Sequence, residues 1–176
     1  MRLMRQPSVI VDLTVEIDHG QLYIYSAAPW ADDPNNDAML RALDDARASG
    51  RWVGLADGLI NLVVPFRKSF DAPLRLEVWP EEPPADDARW DHVVDVDFEM
   101  STREIVFEPS GGFAPVHCKD QVPPGSYRAR VSGRGYAEAR DGADGMDAYR
   151  LRLWPSVNPA APALRKGWPG WRDQGM

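Results

Sequence analysis

The sequence predicts a mainly β protein, an antiparallel β-sandwich with one helix at about residues 37–49. Short segments in which apolar and polar residues alternate recur along the chain, and turn residues separate them. Only one segment has the three- and four-residue apolar spacing of an amphipathic helix. With 176 residues and a hydrophobic share of 44%, the chain is long enough to bury a core of its own as a single domain.

The first strand is predicted over residues 9–18, where apolar residues alternate with acidic and polar ones. His19 and Gly20 then interrupt the pattern, and residues 22–26 continue as a second strand. A short turn between two such runs is typical of a β-hairpin, so we expect the two strands to pair.

The helix is predicted over residues 37–49, because its alanines favour helix. Asn36 is a suitable N-cap, and Gly50 is suited to end the helix. The apolar residues that share one face, which we expect to pack on the β domain, are Met39, Leu40, Leu43 and Ala46.

Strand patterns resume at Trp52 and continue to Pro155. Residues 59–66 are almost continuously apolar, which is typical of an interior strand. Alternating segments follow at 74–79, 94–100, 105–107, 127–131 and 149–153. The turn at residues 101–103 predicts that its two flanking strands form a second hairpin, and residues 133–147 are predicted to be a loop.

The composition changes after Pro155, where Pro, Ala, Gly and Trp replace the alternating pattern. We therefore divide the chain into a β-sandwich-like domain at 1–155 and an extended tail at 156–176. The tail carries three cations and one acid, whereas the whole chain has a formal net charge of -7. Attraction between the two, together with burial of the indoles, predicts that Trp168 and Trp171 pack against the β domain, either in cis or across a homodimer. The same two indoles are also candidate contacts for a protein partner.

The charge and the cysteine content restrict the setting in which the protein acts. Phosphate repulsion at a net charge of -7 argues against direct binding of nucleic acid. No apolar run is long enough to span a membrane. The single cysteine, Cys118, excludes an internal disulfide and suits a reducing cytoplasm.

No residue pattern predicts a metal, a cofactor or a catalytic centre. The three histidines lack metal-ligand spacing, and one cysteine cannot form a paired-cysteine site. His117 and Cys118 are the one candidate nucleophile pair, but neighbouring residues on a strand point to opposite faces. The sequence therefore favours a non-enzymatic protein.

Three carboxylates, Asp95, Asp97 and Glu99, share one face of the strand at 94–100. They are candidate contacts for a basic protein partner, and paired carboxylates can also hold a metal or act as acid and base. A third interpretation is structural, because a half-exposed strand needs a polar face. In that case they pair across the sheet with the arginines of later strands, Arg128, Arg130, Arg150 and Arg152.

Two resemblances accompany these patterns. The segments at 91–99, 122–135 and 149–155 resemble a group of small uncharacterised bacterial β proteins that is common in actinobacteria. Ala56-Asp57-Gly58, Val64-Pro65-Phe66 and Pro124-Gly125-Ser126-Tyr127 are similar to the competence protein J family, which inhibits a DNA-entry nuclease. The second resemblance implies a non-enzymatic protein-binding domain, such as an immunity protein or an inhibitor of a nuclease or toxin, that acts through an acidic surface on a basic enzyme.

The alternative is a small-molecule-binding or enzymatic β domain with a pocket lined by tryptophan and histidine. Trp30, Trp52, Trp79 and Trp90 all lie near predicted strand ends or loops, where a pocket mouth can form. A concave pocket that holds a histidine together with a carboxylate would favour this alternative.

Overall fold

The computed structural model describes residues 5–66, 68–142 and 145–174. Two β-sheets enclose a shared apolar core, and one helix covers the outer side of the smaller sheet. In chain order the elements are β1 (Val9–Ile17), β2 (Gln21–Tyr25), α1 (Ala38–Ser49), β3 (Val53–Ala56), β4 (Leu59–Val63), β5 (Phe70–Val78), β6 (His92–Met100), β7 (Glu104–Pro109), β8 (Val116–Lys119), β9 (Gly125–Arg134), α2 (Tyr136–Arg140), β10 (Ala148–Pro155) and β11 (Ala163–Lys166). The predicted mainly β, sandwich-like fold with one substantial helix is confirmed.

The six-stranded sheet, sheet A, has the order β1-β5-β10-β9-β6-β11, and the five-stranded sheet, sheet B, has the order β3-β4-β2-β7-β8. Neighbouring strands are antiparallel, except that β5 and β10 are parallel in the middle of sheet A. β11 pairs with β6 at one edge of sheet A, in the segment where the sequence pattern contains no strand.

Both predicted hairpins are wrong in the same way. β1 belongs to sheet A and pairs with β5, whereas β2 belongs to sheet B and pairs with β4 and β7. The same crossing occurs between β6 and β7. At the first crossing Gly20 has a φ of 73°, and a Cβ there would lie 2.9 Å from the carbonyl oxygen of Phe66. A tight turn therefore carries the chain across the sandwich here instead of back along one sheet.

The core lies between the sheets and follows the alternation of the strands. In β6 the side chains of Val94, Val96 and Phe98 are buried in it. β1, β5, β9 and β10 contribute in the same manner, so alternate residues of each strand of sheet A project to its outer face.

Helix α1 packs against β3 and β4 on the outer side of sheet B. Its buried residues are alanines, Ala38, Ala42 and Ala46, whereas Leu40 is 60% exposed. The predicted apolar face is therefore rotated. The reason is Gly54 of β3, where a Cβ would lie 1.7 Å from the carbonyl oxygen of Ala42, so the helix backbone rests directly on the strand.

The loop predicted at 133–147 contains the short helix α2. Gly135, with a φ of 77°, precedes it, and Tyr136 points into the core and is fully buried. Within the described ranges, no helix is long and apolar enough to cross a bilayer.

Candidate functional site

The outer face of sheet A carries a layer of charged residues. Strand register places Asp95 opposite Arg130 and Asp97 opposite Arg128, because β6 and β9 are antiparallel neighbours. On the same face, two strands farther along the sheet, Arg152 of β10 lies opposite Glu77 of β5. The structural interpretation of Asp95 and Asp97 therefore agrees with the register, whereas Arg150 and Arg152 pair with other carboxylates.

Arg130 and Asp95 form the most enclosed pair of this layer. Arg130 Nε and Nη2 donate to the two carboxylate oxygens of Asp95 at 2.8 and 2.9 Å. Nη2 also donates to Glu82 at 3.1 Å. Burial opposes the charge of the guanidinium, but the hydrogen bonds and negative charges of the surrounding carboxylates together outweigh it and raise the pKa of Arg130. Asp95 is only 6% exposed, so its carboxylate binds Arg130 and has little surface left for a partner.

Asp97 and Glu99 are increasingly open to solvent along the same strand. Asp97 accepts hydrogen bonds from Arg128 Nη1 and from the backbone N–H of Ala160, both at 2.9 Å. Glu99 is exposed and accepts from the Ser126 hydroxyl at 2.6 Å. Of the three predicted contact residues, these two point to the surface.

The segment between β5 and β6 folds over this face and supplies further carboxylates. Asp86 accepts two hydrogen bonds from Arg150, at 2.7 and 2.6 Å. Although burial opposes ionisation, these bonds and the neighbouring arginines lower the pKa of Asp86. Arg152 donates from Nε to Glu77 at 2.9 Å, and its burial lowers the pKa of this guanidinium.

Tryptophan rings lie against the guanidinium groups of the layer. The indole of Trp90 contacts both Arg134 and Arg150, whose guanidinium carbons are 4.8 and 4.6 Å from the ring centroid. Two further contacts join Arg152 to Trp79 and Arg130 to Trp154. Cation–π contacts of this kind hold long side chains in fixed positions.

The C-terminal residues 167–172, called the C-terminal clamp below, pack against Trp52, His92 and Tyr136. Trp168 is 8% exposed and belongs to the core, and Trp171 stacks on Trp52 with ring centroids 4.0 Å apart and an interplanar angle of 9°. Both indoles therefore pack against the β domain of their own chain, which is one of the two arrangements expected from the sequence. Residues 175 and 176 of the predicted tail lie outside the described residues.

His92 forms hydrogen bonds with the C-terminal clamp. Its Nδ1 accepts hydrogen bonds from the backbone N–H of Trp168 at 3.1 Å and from Nε1 of Trp171 at 3.4 Å. Nε2 is therefore the protonated nitrogen, and it donates to the carbonyl of Arg51. Burial lowers the pKa of His92, which keeps the neutral ring that this arrangement needs. The position is in phase with Val94 and Val96, so alternation alone predicts that it faces inward.

A cavity of about 560 Å³ adjoins the clamp and is lined by His92, Trp52, Trp168 and Trp171. Among the described side chains, no carboxylate lines it. The other tryptophans of the pocket hypothesis lie elsewhere. Trp30 contacts Tyr25, while Trp79 and Trp90 belong to the outer face of sheet A.

The His117–Cys118 pair does not form a catalytic dyad. His117 is exposed and contacts Glu104, whereas Cys118 is buried in the core and its burial raises the pKa of the thiol. The described residues contain no group of three or more histidines, cysteines and acidic residues that is placed to hold a metal ion.

These features define a β domain of two sheets, in which the outer face of sheet A carries a layer of paired charges. No family model and no curated protein matches the sequence. The structure is similar to that of crocagin biosynthetic gene J, with a TM-score of 0.59 and 15% identity, over 84% of this chain and 97% of that chain. It is also similar to ComJ, inhibitor of the DNA degrading activity of NucA, from Bacillus subtilis, with a TM-score of 0.52 and 16% identity, over 88% of this chain and 100% of that chain. At these identities the likeness is one of fold, and to that extent the predicted relation to competence protein J is confirmed.

Proposed function

We propose that this protein is a non-enzymatic protein-binding domain that inhibits a basic nuclease or toxin in the cytoplasm. The observation that supports this most directly is the fold shared with ComJ over 88% of the chain, because ComJ is itself an inhibitor of a DNA-degrading enzyme. The net charge of -7 is consistent with a basic partner, since opposite net charges accelerate encounter.

We assign the first contact with the partner to Asp97 and Glu99 on the outer face of sheet A. Both are more open to solvent than Asp95, whose carboxylate is held by Arg130. Trp171 is partly exposed at the clamp and provides an aromatic contact, whereas Trp168 is held in the core. Protein interfaces have a polar rim and are enriched in aromatic residues.

The test is an inhibition assay with the purified full chain. The rate of DNA degradation is measured for NucA and for basic nucleases encoded in the same genome, each titrated with the protein. We expect stoichiometric inhibition of at least one of them. Light scattering on the free chain and on the mixture reports the stoichiometry and whether the free chain is a homodimer.

The contact surface is tested by charge reversal. Glu99→Lys is expected to weaken inhibition about tenfold or more, mainly through slower association, because it replaces attraction by repulsion at the rim. Glu138→Lys, an equal charge change on α2, is the matched control. Equal effects of the two variants would contradict this surface, and the absence of inhibition of every nuclease tested would contradict the function.

A further inference from the structure

A cleft of about 690 Å³ opens on the outer face of sheet A over β1, β5 and β10. Its buried lining includes Arg150 and Arg152, and its exposed lining includes Arg75, Arg89 and Arg134. The cleft lies across the sheet from β6, which carries the carboxylates assigned to the protein partner.

The cleft is cationic within an acidic protein. Five arginines line it against three carboxylates, Asp12, Glu77 and Asp86, whereas the whole chain has a net charge of -7. Each of these carboxylates is already engaged, by Arg75, Arg152 and Arg150 respectively. Within the described residues, neither Arg89 nor Arg134 forms an ion pair. The excess positive charge therefore sits on these two exposed guanidinium groups.

One of the two exposed arginines, Arg134, is supported by a buried aromatic ring. Arg134 rests on the indole of Trp90, which is 7% exposed and also contacts Arg150. Arg150 is also 7% exposed, and its Nε has no hydrogen-bond partner in the described part of the chain. Guanidinium groups that are fixed in this way are pre-organised to bind oxyanions through paired hydrogen bonds.

The size and the remaining lining of the cleft indicate the class of ligand. A volume of about 690 Å³ is within the range of small-molecule sites, roughly 300–1,000 Å³. Pro73 and Ala148 add a small apolar surface beside the arginines. We propose that this cleft binds a small organic oxyanion, a carboxylate or a phosphate ester, through Arg89 and Arg134 at its rim. The inference goes beyond the proposed inhibitor function, because it concerns a different part of this face and a different chemistry.

The experiment is calorimetric titration of the full chain with citrate and, separately, with pyrophosphate at constant ionic strength. Citrate represents carboxylate ligands and pyrophosphate represents phosphate ligands, so the stronger binder identifies the chemistry. We expect saturable binding of at least one probe. The variant Arg89→Gln/Arg134→Gln is expected to weaken it about tenfold or more, since both proposed contacts are lost.

The matched control is Arg47→Gln/Arg103→Gln, which removes two exposed arginines outside the cleft and is expected to change the affinity less than about twofold. Circular dichroism checks folding, and Arg134→Gln alone serves if the double variant does not fold. The inference is wrong if neither probe saturates below about 10 mM, or if the two double variants weaken binding equally. Because no nuclease is present, this outcome is independent of the inhibition assay.

Discussion

Arg130 and Asp95 form two parallel hydrogen bonds, of 2.8 and 2.9 Å, in a layer where the Arg130 side chain has no exposed surface. An ion pair removed from water stabilises the fold only while both partners are present, since a buried charge without its partner is costly. The pair therefore stabilises the contact between β6 and β9.

Asp95→Ala is expected to lower the free energy of unfolding by about 3–5 kcal/mol, because it leaves a buried guanidinium without its main partner. Asp97→Ala, at the neighbouring and more exposed pair, is the control and should cost about 1 kcal/mol or less. Urea unfolding followed by tryptophan fluorescence measures both. Similar losses for the two variants would show that the enclosure of Arg130 does not matter.

Gly54→Ala is expected to lower the free energy of unfolding by about 3 kcal/mol or more, or to prevent folding. The new Cβ would meet backbone atoms of Ala42 and Ala46 that cannot move unless α1 leaves the sheet. Gly167→Ala is the matched control, because its Cβ would meet only the Leu164 side chain at 3.6 Å. Thermal unfolding compares them, and a Gly54→Ala protein as stable as the control would contradict the direct helix contact.

Stability is expected to fall with acidification below about pH 6.5, the ordinary pKa of histidine. Burial lowers the pKa of His92 in the folded protein, so the unfolded chain binds the additional proton first. The contribution of the neutral ring is thus complete above about pH 6.5 and is lost as the pH falls toward the folded pKa. Protonation also places a hydrogen on Nδ1, which accepts from Trp168, so the clamp loosens.

The control for this pH dependence is a comparison of variants. His92→Asn should have a flatter stability profile between pH 5 and 7 than the natural chain, whereas His117→Asn, at an exposed site, should not. Burial raises the pKa of Asp147, which also titrates with folding, but this group is common to all three proteins. Parallel profiles for His92→Asn and the natural chain would exclude His92 as the titrating group.

Deletion of residues 160–176 is expected to lower the melting temperature, because it removes β11 and both indoles of the clamp. Trp168→Ala alone should cost about 3–5 kcal/mol, the usual penalty for emptying a buried indole site. Calorimetric melting with light scattering measures stability and mass together. An unchanged melting temperature in the truncated chain would contradict packing of the clamp in cis.

Alternation predicted which side of each strand is buried, but not which strands are neighbours. Val94, Val96 and Phe98 lie in the core as expected, yet β6 pairs with β9 and β11 and not with the strand that follows it. The residues of a short turn are the same whether it joins two strands of one sheet or carries the chain from one sheet to the other. Pairing is decided by contacts distant in sequence, which a local pattern does not contain.

The candidate site was predictable to a similar extent. The period of two places Asp95 and Asp97 on one face of β6, but their pairing with Arg130 and Arg128 depends on β9 being the neighbouring strand. The contribution of Asp86 does not follow from this period, because the segment that carries it has no periodicity and its position depends on packing over sheet A. The buried face of α1 was missed because Gly54 allows an approach that favours alanine over larger apolar residues.

The parallel pairing of β5 with β10 governs how the nascent chain acquires its fold. β5 pairs with β1 on one side, but its other edge stays open until residues 148–155 have left the ribosome. Long-range pairing of this kind slows folding, and an open strand edge invites aggregation in the meantime. A chain that ends before β10 leaves β5 without its parallel neighbour. Sheet A is therefore completed only after β10 has been synthesised.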